Sequence, residues 1–480
     1  MTRRSVLLYL LLAGLQRLVS FVLVPFMSHA LTPGEYGAAA TLSTSTILLT
    51  TLVASPLELL VYRSAAREQA ESSALLRTIA LYLCLVVPGA FVVLGIATML
   101  FLPNFLGATG LMWGIEIIAT GLMPFATSFA LPFIRSRQLL RRFVWLASFS
   151  IVVTAVSKIV LVLLLHLGVL GWVLSDLVAA ALTVPVAIAL AGIPGGRVTR
   201  ETIDVVVRFG IPLIPHRASF WALGNLSRPV MALVSNLGQV GQLAFATNIT
   251  SIAGVALAEI QNAVIPSYAA DDAPLPGRET RAVVRWQVAA ALVIPALVAA
   301  AIAVLGPLVV AESYWEAFPV AALLIVGQVA YGVYLIPMSY ITISSDHSRF
   351  SSIASGVGAG VILAGLVVFA ASGGAIAAAI VTSAGFVVMA VLAFSLALAL
   401  KLEVRWRRVF ADGVAIVAGS LAVALGATSL LLPPLSVASV AFAIGAVVAA
   451  WIAGVLLWSR RELRGPMGRA QGPVDAIELP

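Results

Sequence analysis

Apolar residues in this chain come in long unbroken runs, not in the one-sided rhythm of a surface helix or the strict alternation of a strand. About 20 apolar residues suffice for a helix to cross a bilayer. Fourteen stretches of that kind can be marked, at 5–30, 38–62, 77–102, 108–134, 143–166, 168–193, 209–235, 241–266, 286–311, 317–341, 350–372, 374–400, 409–433 and 436–458. The expected fold class is therefore all-α, a polytopic membrane protein of about 14 transmembrane helices. A membrane β-barrel would show short alternating segments, and none occur. The first run ends like a signal peptide at Ser28-His29-Ala30, but it is too long and Gln16–Arg17 interrupt it, so it reads as a retained first crossing.

Composition agrees: of 480 residues 61% are hydrophobic and 10% charged, far below the ~25% charged of soluble domains. Threading the spans with the amino terminus inside puts 24 of the 28 Lys and Arg on the loops and edges of one side and none in the loops of the other. By the positive-inside rule both termini are cytoplasmic and the chain is a multi-pass protein of the cytoplasmic (inner) membrane. The net charge of +8 thus belongs to membrane topology; with no soluble basic domain, no nucleic-acid partner is expected. One cysteine, Cys84, and four scattered histidines provide no disulfide and no metal or other cofactor site. No loop much exceeds twenty residues, so the extramembrane catalytic surface of a polytopic glycosyltransferase, polymerase or ligase is missing, and the chain is not expected to be an enzyme. The basic, Gly- and Pro-containing tail 459–480 reads as a disordered cytoplasmic end.

One crossing departs from the pattern. The stretch 209–235 carries Pro212, Pro215, Pro229, Gly210 and Gly224 together with His216, Arg217 and Arg228. Freed backbone groups at membrane depth are tolerated only against neighbours or a wet cavity, and an embedded arginine costs at least ~2.5–3.5 kcal/mol. A broken, cationic crossing reads as the lining of a polar path. A faint repeat supports two halves: an offset of 204 aligns Ala40, Ser43 and Thr46 with Ala244, Thr247 and Thr250. The expected organisation is an amino-terminal lobe 1–194 of spans one to six, a carboxy-terminal lobe 195–400 of spans seven to twelve, appended spans within 401–458, and the tail. In transporters built from repeats, interrupted helices at corresponding places mark the binding site. Here these are span one, with Gly14, Arg17 and Pro25, and span seven.

The four basic residues left inside spans, Arg17, Lys158, Arg217 and Arg228, argue for an anionic ligand, because guanidinium groups bind phosphate bidentately. Against this, each could be neutralised by an embedded acid (Glu58, Glu116, Asp176 or Glu259), with Lys158–Asp176 the best structural pair. The same four carboxylates are candidates for coupling transport to a cation, H+ or Na+, since a buried carboxylate can carry a proton between faces. His216 could titrate, but beside Arg217 a neutral, hydrogen-bonded ring is the simpler expectation. Trp221 and Asn225, in mid-span seven, could contact sugar by stacking and hydrogen bonding, or simply pack. Ser43–Thr46, Gln261 and Asn262 carry the same ambiguity. Trp145, Trp172, Trp286 and Trp315 lie near span ends and read as interfacial anchors.

Three stretches carry a family resemblance: LTPGEYGAAATL leading to VYRSAARE, the run RFGIPLIPHRASFWALGNLSRPVMALVSNLGQVGQLAFATNI with ALAEIQNAVIPSYA, and SYWEAFPVAALL. Over positions 1–400 the chain resembles the polysaccharide-transporter branch of the multidrug/oligosaccharidyl-lipid/polysaccharide flippase superfamily. That resemblance implies two six-helix lobes in a V with two appended helices. It also implies alternating-access export of a polyprenyl-(pyro)phosphate-linked oligosaccharide for cell-surface polysaccharide assembly. The implied partners are the polyprenyl-linked glycan, membrane lipid, a coupling cation, and a glycan polymerase or other assembly proteins. Arg17, Arg217, Arg228 and Lys158 would then meet the pyrophosphate. Many relatives have Asp-Arg where this chain has Ser227–Arg228, which leaves Arg228 without an adjacent acid. The alternatives are a lipid II flippase of the same superfamily and a cation-coupled multidrug exporter, although the latter favours an acidic cavity.

Overall fold

The computed structural model describes residues 23–65, 70–269, 278–344 and 351–400; Arg17, most of span one, spans thirteen and fourteen, and the tail lie outside them. Among the described residues there is no strand, and eight helices are long and apolar enough to cross a membrane. Residues 23–30 end the first crossing in a helix. The second crossing is α1 (Pro33–Val53) continued by α2 (Ser55–Ala65). The third joins α3 (Ala70–Leu81) to α4 (Val87–Phe101) through a π-helical turn at Tyr82–Val86. The fourth joins α5 (Gly110–Leu122) to α6 (Leu131–Ser136) through another at Phe125–Ala130. Crossings five and six are α7 (Leu140–Lys158), ending in a π turn at Ile159–Leu164, and α8 (Gly168–Ala191).

A short helix, α9 (Arg200–Gly210), comes next and packs against α2 and α3. Its start is fixed by Thr199, whose hydroxyl accepts from the Thr202 amide. Crossing seven is in pieces, as its prolines foretell: a 3-10 turn at Ile211–Leu213, then α10 (Ile214–Asn225) and α11 (Ser227–Val234). Pro229 has no N–H to give the Asn225 carbonyl, and the helix breaks between them at Leu226. The second lobe continues with α12 (Leu237–Ala269), α13 (Arg278–Val309), α14 (Ala317–Ser339) and α15 (Ser351–Ala399). A straight 49-residue helix would be ~73 Å long, more than twice a bilayer core. Gly374, at φ 55° and ψ −142°, folds α15 into crossings eleven and twelve.

The 204-residue offset is written into the contacts. Thr32 caps α1, its hydroxyl accepting from the Glu35 amide, and Asn236 caps α12 by accepting from the Gln239 amide. Thr46 donates back to the carbonyls of Leu42 and Ser43; Thr250 does so to Ala246 and Thr247. Glu35 lies against Gly168 at the head of α8, and Gln239 against Gly374 at the head of crossing twelve, both glycines at positive φ. The repeat-related helices α1 and α12 then meet face to face. A Cβ on Gly37 would lie 2.2 Å from the Leu237 carbonyl oxygen, and one on Gly241 would lie 1.8 Å from that of Pro33. With no hydrophobic drive between helices in lipid, such small-residue contact is what brings them together.

Two apolar cores sit inside the first lobe. One, around Leu76, Leu83, Phe125, Phe129 and Leu146, lies toward the arginine-rich end; the other, around Ala39, Leu42, Trp113 and Val173, lies toward the opposite end. The core of the second lobe reaches across the seam to include Met27, Leu31 and Tyr36. The lobes are thus fastened at the end away from the arginines. There the Tyr314 hydroxyl donates to the Leu31 carbonyl at 2.9 Å and the Ala311 amide to Ser28 Oγ at 3.1 Å.

Candidate functional site

Polar side chains from both lobes form a connected seam along α1. At its centre Arg228, placed on α11 by the break at Leu226, points one guanidinium nitrogen to each lobe: Nη1 donates to Thr44 Oγ1 at 3.2 Å and Nη2 to Asn248 Oδ1 at 2.9 Å. Thr44 and Asn248 are themselves 204 residues apart, so equivalent positions of the two repeats grip one cation. Asn248 Nδ2 in turn donates to the Tyr36 hydroxyl at 2.6 Å. Arg228 Nε is buried without a partner. Trp221, 8% exposed, donates its indole N–H to the Thr44 carbonyl at 3.2 Å and is packed, while Asn225 lies half-buried one turn further on.

Toward the end where the lobes are fastened, Tyr36 is the hub of an aromatic plug. Its ring meets those of Trp172, Phe245 and Tyr314 edge-on, at centroid distances of 5.7, 6.0 and 5.9 Å. The residues of Thr32–Gly37 therefore serve in turn as cap, first-turn proline, small residue, capping-box acid, hub and point of close approach.

Trp172 carries the seam into the first lobe. Its indole N–H donates to Ser43 Oγ at 3.1 Å, and Lys158 Nζ sits 3.7 Å above its ring. Lys158 also meets Asp176 at 3.0 Å, the pairing expected from sequence. Trp172 thus departs from the interfacial-anchor reading: its polar edge faces a half-buried serine and its ring supports a cation. Glu116, 2% exposed, interacts with both Asp176 and Lys158 and hydrogen-bonds Ser43, while its Oε2 has no partner. Glu116 and Asp176 open onto a cavity of ~400 Å³ whose walls are rich in hydroxyls, among them Ser43, Thr50, Thr120 and Thr154. Two carboxylates, one lysine and a ring of hydroxyls make a place where a small cation or a proton can reside.

The pair itself yields a prediction. Asp176→Leu removes the ion-pair partner of Lys158 and leaves Glu116 alone to offset its charge, and removing one partner of a buried pair costs up to ~3–5 kcal/mol. The thermal midpoint of the purified protein should fall clearly, and Lys158→Met added to Asp176→Leu should recover most of the loss. A single variant as stable as the parent would refute this.

The remaining candidates lie nearer the arginine-rich end. Arg217 on α10 is half-buried and acts electrostatically on Glu58 of α2; Arg135 is a second, weaker influence on Glu58 and also bonds the Tyr62 hydroxyl. Glu259 is half-buried on α12, where Gln261 bonds both Gln287 and Ser339. The structure therefore brings Arg228, Lys158, Glu116 and Asp176 into one seam with Trp221, and sets Arg217 and Glu58, which interact electrostatically, apart from it. Tyr36, Asn248 and Trp172 were not singled out as site residues by sequence, and Thr44 entered only within the Ser43–Thr46 run weighed for sugar contact. The signal for Thr44 and Asn248 was the repeat offset itself.

Known proteins share this architecture. The polysaccharide biosynthesis protein family matches residues 2–270. Among solved structures, the lipid II flippase MurJ in an inward closed conformation superposes with a TM-score of 0.72 at 12% identity, covering 96% of this chain and 100% of that one. An inward-facing multidrug resistance transporter of the MATE family, of the MOP superfamily, superposes with a TM-score of 0.55 at 13% identity, covering 79% and 93%. No curated protein matches.

Proposed function

The chain belongs to the polysaccharide biosynthesis protein family, as a multi-pass membrane transporter of the multidrug/oligosaccharidyl-lipid/polysaccharide flippase superfamily, and we propose that it flips a polyprenyl-(pyro)phosphate-linked oligosaccharide by alternating access. One observation carries this reading: Arg228 of the broken seventh crossing donates across to Thr44 of the first lobe, and Arg217 of the same crossing acts electrostatically on Glu58 there. In this reading the arginine-rich end faces the cytoplasm, in the inner membrane. Arg217, joined by Arg17, exchanges Glu58 for the substrate's phosphate, a swap of one carboxylate partner for a bidentate one. The glycan follows between the lobes, and Arg228 either passes the phosphate on or closes behind it. Glu116 and Asp176 take up the coupling cation, and Lys158, tied to Asp176, reports their charge to the seam through Trp172 and Ser43. Glycan polymerase or other assembly proteins would act on the exported product.

Arg217→Ala removes charge-assisted bonds worth ~1.5–3 kcal/mol, so glycan export should fall about 10- to 100-fold with the protein still in the membrane. Reconstituted vesicles given a polyprenyl-linked oligosaccharide, lipid II or a cationic dye separate the substrate classes. Unchanged export by Arg217→Ala, or transport of the dye alone, would end the proposal.

A further inference from the structure

A second cavity, of ~520 Å³, lies on the side of the molecule between α2, α3 with its π turn, α9 and the start of crossing seven. Its walls are aliphatic: Val53, Leu57, Leu85, Val207, Ile211 and Ile214. The polar groups among its lining residues are already engaged. Thr78 donates to the Ala74 carbonyl and bonds Thr202 at 2.8 Å, and the Tyr82 hydroxyl reaches the Val53 carbonyl at 3.4 Å. Leu85, Val207 and Ile211 are 63%, 45% and 59% exposed, so the groove is open along its length. From Ile203 to Ile214 it runs along about 16 Å of helix at 1.5 Å per residue, comparable with one leaflet's half of the ~30 Å core.

Its position selects the occupant. Leu57, in the wall, adjoins Glu58, and Ile214 stands three residues before Arg217, on the same face of α10. Glu58 and Arg217 interact electrostatically across the lobes. The lining of the groove thus includes residues one position from Glu58 and one helical turn from Arg217. Arginines also stand next to three of its lining residues: Arg77 beside Thr78, Arg197 beside Val198 and Arg208 beside Val207. An ordinary phospholipid would be held by any apolar face, whereas a chain lying in this groove has its anionic end at Arg217.

We infer that this groove holds the isoprenoid chain of a polyisoprenyl phosphate lipid while its phosphate engages Arg217. The assignment rests on the flippase reading and adds the place where the tail stays during transport. A polyisoprenyl phosphate carrying a benzophenone on its chain, photolysed with the full-length protein in nanodiscs, provides the test. Cross-links should map to residues 78–86 and 198–214 and should be competed by unlabelled polyisoprenyl phosphate but not by phosphatidylglycerol. Val207→Trp, a change at an exposed position that fills the groove, should lower the yield about tenfold, and Val93→Trp, on an exposed face elsewhere, should leave it unchanged. Cross-links spread over other exposed faces, equal competition by phosphatidylglycerol, or indifference to Val207→Trp would overturn the assignment. If cross-links map as expected while Arg217→Ala exports normally, the groove stands and the transport reading falls.

Discussion

Gly241→Ala should abolish export while each lobe still folds. The Cβ it adds would lie 1.8 Å from the Pro33 carbonyl oxygen and 2.7 Å from its carbon, and one on Gly37 of the facing helix would lie 2.2 Å from the Leu237 carbonyl oxygen and 2.8 Å from the Gly241 nitrogen. Both clashing groups are backbone, so no side chain can rotate away. Restoring van der Waals contact requires α1 and α12 to part by about 1.5 Å. That separation draws Tyr36 from Phe245 and Tyr314 and lengthens the 2.6 Å bond from Asn248, all of which hold the arginine-poor end shut. The core around Leu76, Phe125 and Phe129 lies away from this contact, whereas the cores that hold Ala38 and Val240 border it and would shift as whole faces. A transporter that cannot close one face cannot alternate. A shift of ~1.4 kcal/mol toward the open state already changes its ratio to the closed one tenfold. With Cys84→Ser as background, a cysteine at Ser43 should become about ten times more reactive to an impermeant thiol reagent applied from that face. Normal export by Gly241→Ala would show that the glycine contact is not part of the cycle.

The same contact illustrates what could be read from the chain alone. Span positions were legible because apolar length is a one-dimensional signal, and helices appear in each of crossings two to twelve. The break in crossing seven was legible because proline lacks a donor wherever it stands. The direction in which each polar side chain points was not. Helices such as α1, α12 and α15 are apolar or small-residued nearly all round, so no amphipathic stripe tells which face meets a partner. Depth could be counted from span ends, but azimuth could not. Lys158 and Asp176 were placed at matching depth on neighbouring spans and do meet. Trp172 sits near the head of α8, as an anchor would, yet turns inward under Lys158. The π turns at Tyr82–Val86, Phe125–Ala130 and Ile159–Leu164 each insert a residue and rotate the helix beyond, with no sequence signature to announce them. Lys158 stands immediately before one of these turns.

Arg228→Lys should be nearly as damaging as a glycine wedge, for a different reason. Lysine preserves the charge, but its compact ammonium cannot direct bonds to Thr44 on one lobe and Asn248 on the other as a planar fork does. Losing one charge-assisted bond costs ~1.5–3 kcal/mol, which corresponds to about a 10- to 100-fold fall in export if closure limits the cycle. The decisive comparison is Asn248→Leu. Were Arg228 chiefly a phosphate ligand, removing Asn248 would free its guanidinium and tighten the grip on a pyrophosphate-bearing lipid. Were it a latch between repeats, Asn248→Leu would reproduce Arg228→Lys, and the double variant would be little worse than either alone, as for residues acting through one interaction. The geometry favours the latch: two acceptors from equivalent positions of the repeats already occupy Nη1 and Nη2, and only the buried Nε is without a partner. Additive losses in export, or tighter lipid binding by Asn248→Leu, would return Arg228 to the substrate path.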